Sequence, residues 1–181
     1  MNPIATLHMA NGRNIVIELL PESAPNTVNS FIYTASRGYL DHHAIERIVP
    51  GNWVDVSYTA FGKKECRYLI PNEFELNPDV VPLDSHPGAV CMGGYGEAGL
   101  AGCEFFFPLR DCPDHKGIYP VFGRVLEGMD ELYRLEKVET VPVTDFPIEG
   151  VEVNRPVKPE IIERVKLELH GEIYPEPVRV R

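Results

Sequence analysis

Seventeen prolines are spread through 181 residues, about 9% of the chain against a usual ~5%, which marks a loop-rich chain. Proline lacks the amide proton a strand ladder needs, and its ring clashes with the preceding turn of a helix. Because the prolines are scattered rather than clustered, they punctuate loops and do not form a polyproline linker. The chain is 44% hydrophobic, and its length is that of one ordinary domain. A chain this long hides roughly 70% of its unfolded surface, so it needs no metal or disulfide staple.

The N-terminal segment reads as a β-hairpin. Ile4 to Met9 is apolar, Asn11-Gly12 is a type I′ turn signal, and Ile15, Ile17 and Leu19 then alternate with Asn14, Val16 and Glu18. Pro21 ends the second strand. Ser23 is placed to cap a helix with Pro25 in its first turn, and Val28, Phe31, Ile32 and Ala35 share one face before Gly38 stops it. Ala44 to Thr59 is strand-like around a Pro50-Gly51 break, and residues 60 to 88 read as long surface loops. Apolar runs at Ala89–Met92, Glu104–Leu109 and Tyr119–Val125 predict further strands, with Cys103 to Phe107 a core strand whose alternate aromatics face inward. Gly93 to Gly102 is a glycine-rich loop. A second helix is predicted from about Met129 to Val138, with Met129, Leu132, Leu135 and Val138 as its buried edge. Residues 141 to 160 read as proline-punctuated loop, Val165 to Leu169 as a closing strand, and the tail from Gly171 as weakly held. The regular strand–helix alternation of a doubly wound sheet is missing, so the class is mainly β, an antiparallel barrel or sandwich capped by helices.

Charge and composition narrow the function. With 27 acidic against 17 basic residues, a net charge of -10 and no clustered basic face, the chain is not expected to bind nucleic acid. No apolar run approaches the roughly 20 residues of a membrane span, and Met1-Asn2-Pro3 opens no signal peptide. Four cysteines without a CxxC pair point away from zinc and toward reduced thiols in the cytoplasm. Phosphate-loop, dinucleotide, zinc-protease and serine-hydrolase motifs are all missing from the sequence. Adjacent His42 and His43 point to opposite faces of a strand, which argues against a shared metal. Cys103 has two readings, a nucleophile served by a distant histidine or a small buried thiol. The residues alone stop at a β-rich domain.

The order of segments resembles the cyclophilin family of peptidyl-prolyl cis–trans isomerases. The pieces that carry the likeness begin with Ile17-Glu18-Leu19, Pro21-Glu22-Ser23-Ala24-Pro25, Thr27-Val28-Asn29 with Phe31, and Gly38-Tyr39. They continue through Arg47-Ile48-Val49-Pro50-Gly51, Gly88 with Met92, and Glu104-Phe105-Phe106, and close with Val121-Phe122-Gly123-Arg124-Val125 and Glu127-Gly128-Met129. Together they run from about Asn11 to Leu169. The resemblance implies a closed eight-stranded antiparallel barrel capped by two α-helices over residues 1–170, with 171–181 as a C-terminal tail. It also implies an isomerase that assists protein folding as a monomer, acts on proline-containing peptides or unfolded proteins, and needs no cofactor or metal; the alternative is a catalytically weak or inactive cyclophilin-like module that binds proline-containing segments.

Carried over position by position, Arg47 matches the family's catalytic arginine and Phe106 the floor of its proline pocket. Trp53 stands where a methionine usually lines that pocket, and Tyr119 where many members have histidine or tyrosine. Gly93 and Gly94 stand where a small residue and an asparagine bind the substrate backbone. The departures lie at the rim. The family's Gln-Gly-Gly is Asp55-Val56-Ser57, its second glutamine is Glu104, a pocket phenylalanine is Asn52, and the tryptophan–leucine stretch over the pocket is Asp114-His115. A carboxylate only accepts hydrogen bonds where an amide can also donate. Asp55 and Glu104 are therefore expected to flank Arg47, and they either tether it or neutralise it. Flanking carboxylates also imply a preference for peptides with a basic residue near the proline.

Overall fold

The computed structural model describes residues 1–56 and 63–181. The elements follow in chain order: β1 (Ile4–Met9), β2 (Asn14–Leu19), α1 (Pro25–Ser36), β3 (His43–Ala44), β4 (Arg47–Val49), β5 (Trp53–Val56) and β6 (Leu69–Ile70). The second half holds α2 (Glu73–Leu76), β7 (Ala89–Gly94), β8 (Leu100–Pro108), β9 (Val121–Glu127), α3 (Met129–Glu136), β10 (Thr140–Pro142), β11 (Asn154–Pro156) and β12 (Ile161–Glu168). The expected end of the third strand at 57–59, and the first residues of the long loop, lie outside the described residues.

Ten strands form one curled antiparallel sheet in the order β3-β12-β1-β2-β9-β7-β8-β5-β4, with β6 also on β8. The mainly β class stands, but the strand count and the closure differ from the expected closed eight-stranded barrel. Among the described residues no ladder joins β3 to β4. The reason is covalent: β3 ends at Ala44 on the β12 edge and β4 begins at Arg47 on the β5 edge. The chain itself, through Ile45 and Glu46, crosses the gap that hydrogen bonds would otherwise close. A short third helix, α2, joins the two expected ones, and the predicted loop of residues 141–160 contains a separate two-stranded ribbon of β10 and β11.

The core follows from alternation. Along β8, Cys103, Phe105 and Phe107 turn inward, while Glu104 and Phe106 take the other face. Phe31 of α1 meets Phe105 and Phe122 with ring centres 5.3 and 5.4 Å apart. At the other helix, Gly128 sits at φ 103°, and a Cβ there would lie 2.5 Å from the Asn14 carbonyl oxygen. Only glycine starts α3 so close to β2.

Two local expectations give way to long-range partners. Ala24, not Ser23, is the cap residue of α1, and no side chain of its own segment caps the helix. The buried Glu73 carboxylate instead accepts from the backbone N–H groups of Asn26 (3.2 Å) and Thr27 (2.8 Å), from the Thr27 hydroxyl (2.5 Å) and from the Asn77 amide (2.7 Å). An anion at a helix N-terminus satisfies donors that the helix leaves open and opposes the positive end of its dipole. The tail, expected to be weakly held, is strapped down. Asn26 bonds both the amide and the carbonyl of Val178, the Val180 amide donates to Leu69 at 2.8 Å, and the Arg179 guanidinium lies 4.1 Å from the Tyr68 ring centre.

Replacing Glu73 by Ala strands three buried donor groups at once. We expect it to lower the unfolding free energy by about 2–3 kcal/mol. The measurement is a shift of the urea midpoint at unchanged slope. A shift within error of zero would show that the carboxylate does not cap α1.

Candidate active site

The hairpin of β4 and β5 opens the site. Its turn runs through Pro50, Gly51 and Asn52, with Gly51 at φ 77° and its amide donating to the Glu136 carboxylate at 2.7 Å. In the ladder Arg47 stands opposite Asp55, and Ile48 opposite Val54. Ile48 and Val54 are buried in the core, which sends Arg47 and Asp55 to the other face. The row continues across the sheet, with Asp55 opposite Phe106 on β8, Phe106 opposite Cys91 on β7, and Cys91 opposite Val121 on β9. Phe106, Cys91, Val121 and Ala89 form a small apolar cluster of their own, with Trp53 and Tyr119 packed against it.

A cavity of about 190 Å³ lies on this row, lined by Arg47, Trp53, Asp55, Gly93, Gly94, Phe106, His115, Tyr119 and Val151. Its walls are aromatic edges. Trp53 and Phe106 have centroids 6.1 Å apart, Phe106 and Tyr119 5.9 Å, Phe106 and His115 5.8 Å, and His115 and Tyr119 4.8 Å, with Phe106 edge-to-face against each of its three partners. Gly93 and Gly94 keep one wall thin, for a Cβ on Gly93 would lie 3.2 Å from the Glu104 carbonyl oxygen.

Arg47 is fixed at the rim. Nη1 donates to Asp55 Oδ2 at 2.7 Å, and Nε donates to the carbonyl of Glu152 at 2.7 Å. The guanidinium carbon sits 5.5 Å from the Trp53 ring centre. The two charged side chains are only 11% and 9% exposed, so the pair is largely desolvated and its geometry is tightly held. The guanidinium of Arg110 also lies against the indole, 5.7 Å from the ring centre, steadied by Nε donating to Asn52 Oδ1 at 2.7 Å. Burial pushes the His115 imidazole below its ordinary value, with Asp114 pulling the other way and Arg110 adding to the fall. Trp53 Nε1 and His115 Nδ1 are both buried without a hydrogen-bond partner among the described residues.

The structure thus brings together eight of the residues singled out in the sequence: Arg47, Trp53, Asp55, Gly93, Gly94, Phe106, His115 and Tyr119. It does not bring Asn52 or Glu104 to the cavity wall. Asn52 sits in the hairpin turn and reaches the site only through Arg110. Glu104 shares the Phe106 face of β8, but its carboxylate accepts from the Tyr95 hydroxyl at 2.7 Å and lines a neighbouring cavity. Ser57 lies outside the described residues. Three contributors escaped the sequence reading: Val151 on the cavity wall, the Glu152 carbonyl on Arg47, and Arg110 over Trp53. Nothing local in the 141–160 stretch marks the first two, which arrive because the β10–β11 ribbon packs beside β4.

Cys103 is poorly suited to attack a substrate. Its thiol donates to the Cys66 carbonyl at 2.9 Å, and a hydrogen bond with Cys66, followed by burial, raises it far above the usual thiol range. Among the described residues no cluster of His, Cys, Asp or Glu has the makings of a metal site. Among the described residues no helix is long and apolar enough to cross a membrane.

Comparison with known proteins gives a consistent result. The profile of the "Cyclophilin type peptidyl-prolyl cis-trans isomerase/CLD" family matches residues 4–175. The chain is 31% identical over 150 residues to "Peptidyl-prolyl cis-trans isomerase-like 1" of Gibberella zeae, covering 83% of this chain and 90% of that protein. It is 32% identical over 158 residues to "Peptidyl-prolyl cis-trans isomerase CYP18-2" of Arabidopsis thaliana, covering 84% and 92%. It is 30% identical over 152 residues to "Peptidylprolyl isomerase domain and WD repeat-containing protein 1" of Mus musculus, covering 82% of this chain but spanning only 23% of that relative's length. A crystal structure of a Cryptosporidium parvum cyclophilin type peptidyl-prolyl cis-trans isomerase, determined in the presence of the dipeptide Ala-Pro, superposes with a TM-score of 0.70 over 91% of this chain and 98% of that one. At 19% identity it speaks for the fold.

Trp53 is the chain's single tryptophan, and its ring lies 5.7 Å from that of His115. Its fluorescence therefore reports the charge on that imidazole. A His with a depressed value stays neutral until the pH falls below the ordinary ~6.5. We expect a fluorescence titration with a midpoint below that value, removed by His115→Asn. A midpoint at or above it would contradict the burial of the ring.

Proposed function

This chain belongs to the cyclophilin-type peptidyl-prolyl cis–trans isomerase family, and we propose that it catalyses rotation about Xaa-Pro bonds with Arg47 as its catalytic residue. The observation that carries the reading is a guanidinium clamped at the mouth of an aromatic cavity. An Xaa-Pro bond has both isomers within reach in energy, but amide resonance puts about 18–20 kcal/mol between them. Twisting the bond localises the lone pair on the proline nitrogen and swings the carbonyl oxygen. An enzyme accelerates this by fitting the twisted amide better than either planar form, and needs neither nucleophile nor metal to do so.

The side chains divide that work. Phe106, Trp53, Tyr119 and His115 supply apolar walls that grip the pyrrolidine ring while the preceding residue turns. Gly93 and Gly94 leave the peptide backbone room to lie against the sheet. Arginine stays protonated and carries its donors in a rigid plane, so a guanidinium held through Nε and Nη1 presents a fixed cation to the nitrogen of the twisted amide. Asp55 acts as a positioning residue: it holds the guanidinium from the adjacent strand, which supports the tethering alternative over neutralisation. A neutral His115 keeps the cavity receptive to an apolar ring.

The substrates we propose are proline-containing segments of peptides and unfolded proteins, turned over by a monomer in the cytoplasm to assist folding. Support comes from four buried, unpaired cysteines and from a net charge of -10. We place the functional unit at residues 1–170 with 171–181 strapped against it.

The test is exchange NMR on an Ala-Pro peptide. The wild type is expected to enhance cis–trans exchange, and Arg47→Ala to reduce kcat/KM tenfold or more, about 1.4 kcal/mol of barrier for each tenfold. Binding without enhancement by the wild type would make the protein a capture module, and equal rates for the two proteins would remove Arg47 from the mechanism.

A further inference from the structure

Isomerisation uses no thiol, yet two of the four cysteines meet at the wall of a second cavity. This cavity, about 430 Å³, lies beyond Gly93 on the side of β6 and is lined by Cys66, Cys103, Tyr68, Tyr95 and Glu104 among others. The β6–β8 ladder brings the two thiols together. Leu69 stands opposite Ala101, and the Gly102 amide donates to the Tyr68 carbonyl at 3.0 Å. Continued by two steps, that register sets Arg67 beside Cys103 and Cys66 beside Glu104. Cys103 Sγ lies 2.9 Å from the Cys66 carbonyl oxygen.

We propose that Cys66 and Cys103 form a reversible dithiol–disulfide site, oxidised by hydrogen peroxide that enters through this cavity. The two sulfurs are not equivalent. The hydrogen bond from Cys103 stabilises the Cys66 thiolate, and the Lys63 and Arg179 cations add to it against the opposing effects of burial and Glu65. Cys66 is therefore the attacking sulfur and Cys103 the resolving one. Cys66 attacks one peroxide oxygen, breaks the O–O bond and becomes a sulfenic acid with release of one water. The Cys103 thiol then attacks that sulfur, the S–S bond forms, and the sulfenyl oxygen leaves as a second water with the Cys103 proton. Two electrons pass from the two sulfurs to the peroxide, and a thiol reductant such as dithiothreitol returns them. The Cys103 sulfur starts 2.9 Å from the carbonyl oxygen of Cys66. Reaching the ~2.05 Å of a disulfide requires the single turn at Lys64–Cys66 to carry the Cys66 sulfur toward Cys103.

The other pair supplies the control. Cys91 and Cys112 are fully buried, and neither lines this cavity. Burial pushes Cys91 up to about 12 and raises Cys112 as well, so neither supplies an attacking thiolate.

The experiment treats the native full chain with hydrogen peroxide, monitors near-ultraviolet circular dichroism to confirm the fold, then denatures and alkylates it. We expect two of the four thiols to be lost from alkylation and recovered with dithiothreitol. Mass spectrometry after trypsin and a Glu-specific protease, which cuts between Cys91 and Cys103 at Glu97, should join Cys66 to Cys103. Cys66→Ser should abolish the cross-link, and Cys103→Ser should leave a sulfenic acid on Cys66 that dimedone traps. Full alkylation of all four thiols in folded, peroxide-treated protein would overturn the proposal. So would a cross-link joining any other pair.

Discussion

One antiparallel register holds this protein's site together. Arg47 faces Asp55, Asp55 faces Phe106, and Phe106 faces Cys91. Because side chains alternate along a strand, a slip of one residue at β8 would send Phe106 into the core and Phe105 or Phe107 out to the cavity. The packing of Phe105, Phe107, Phe31 and Phe122 forbids that slip, since all four are almost wholly buried against one another. Core and site are thus two faces of the same strands, and the stability of one fixes the register of the other.

The charge at the rim obeys a different economy. A buried ion pair gives up hydration, and the attraction between its members returns that cost only when their geometry is good. Here the Arg47–Asp55 pair adds a backbone acceptor from Glu152 and an indole face from Trp53. Such an arrangement contributes orientation more than stability: it removes the rotational freedom a surface arginine would keep. Glu152 arrives on the ribbon of β10 and β11, so a segment far along the chain completes the setting of a residue on β4.

Much of this was legible in the sequence, and the failures share a cause. The hairpin around Asn11-Gly12, the amphipathic face of α1 and the inward aromatics of β8 follow from local periodicity and appear where expected, although the turn is not the type I′ expected, since only Gly12, at φ 86°, takes a positive φ. Arg47, Trp53, Phe106 and Tyr119 could be named because the resemblance places residues on strands, and strands fix faces. Faces do not fix partners. Glu104 has the right face but lies with Tyr95, and Asn52 holds Arg110 rather than lining the cavity. Ser23 lost the cap of α1 to Glu73, roughly fifty residues on, and the proline-bearing tail is held by Asn26, 152 positions away from Val178. The sheet does not close because two residues of backbone cross where a ladder was expected. Each case depends on a contact that no window of neighbouring residues contains.

The account stands or falls on whether Asp55 works through Arg47. A double-mutant cycle in kcat/KM for a proline peptide, using Arg47→Ala, Asp55→Ala and both together, measures that coupling. If Asp55 positions the guanidinium, its loss lowers kcat/KM by about tenfold in the presence of Arg47 and by nothing further in its absence, a coupling of about 1.4 kcal/mol. Losses that simply add would show that the two residues act independently, and would contradict the account.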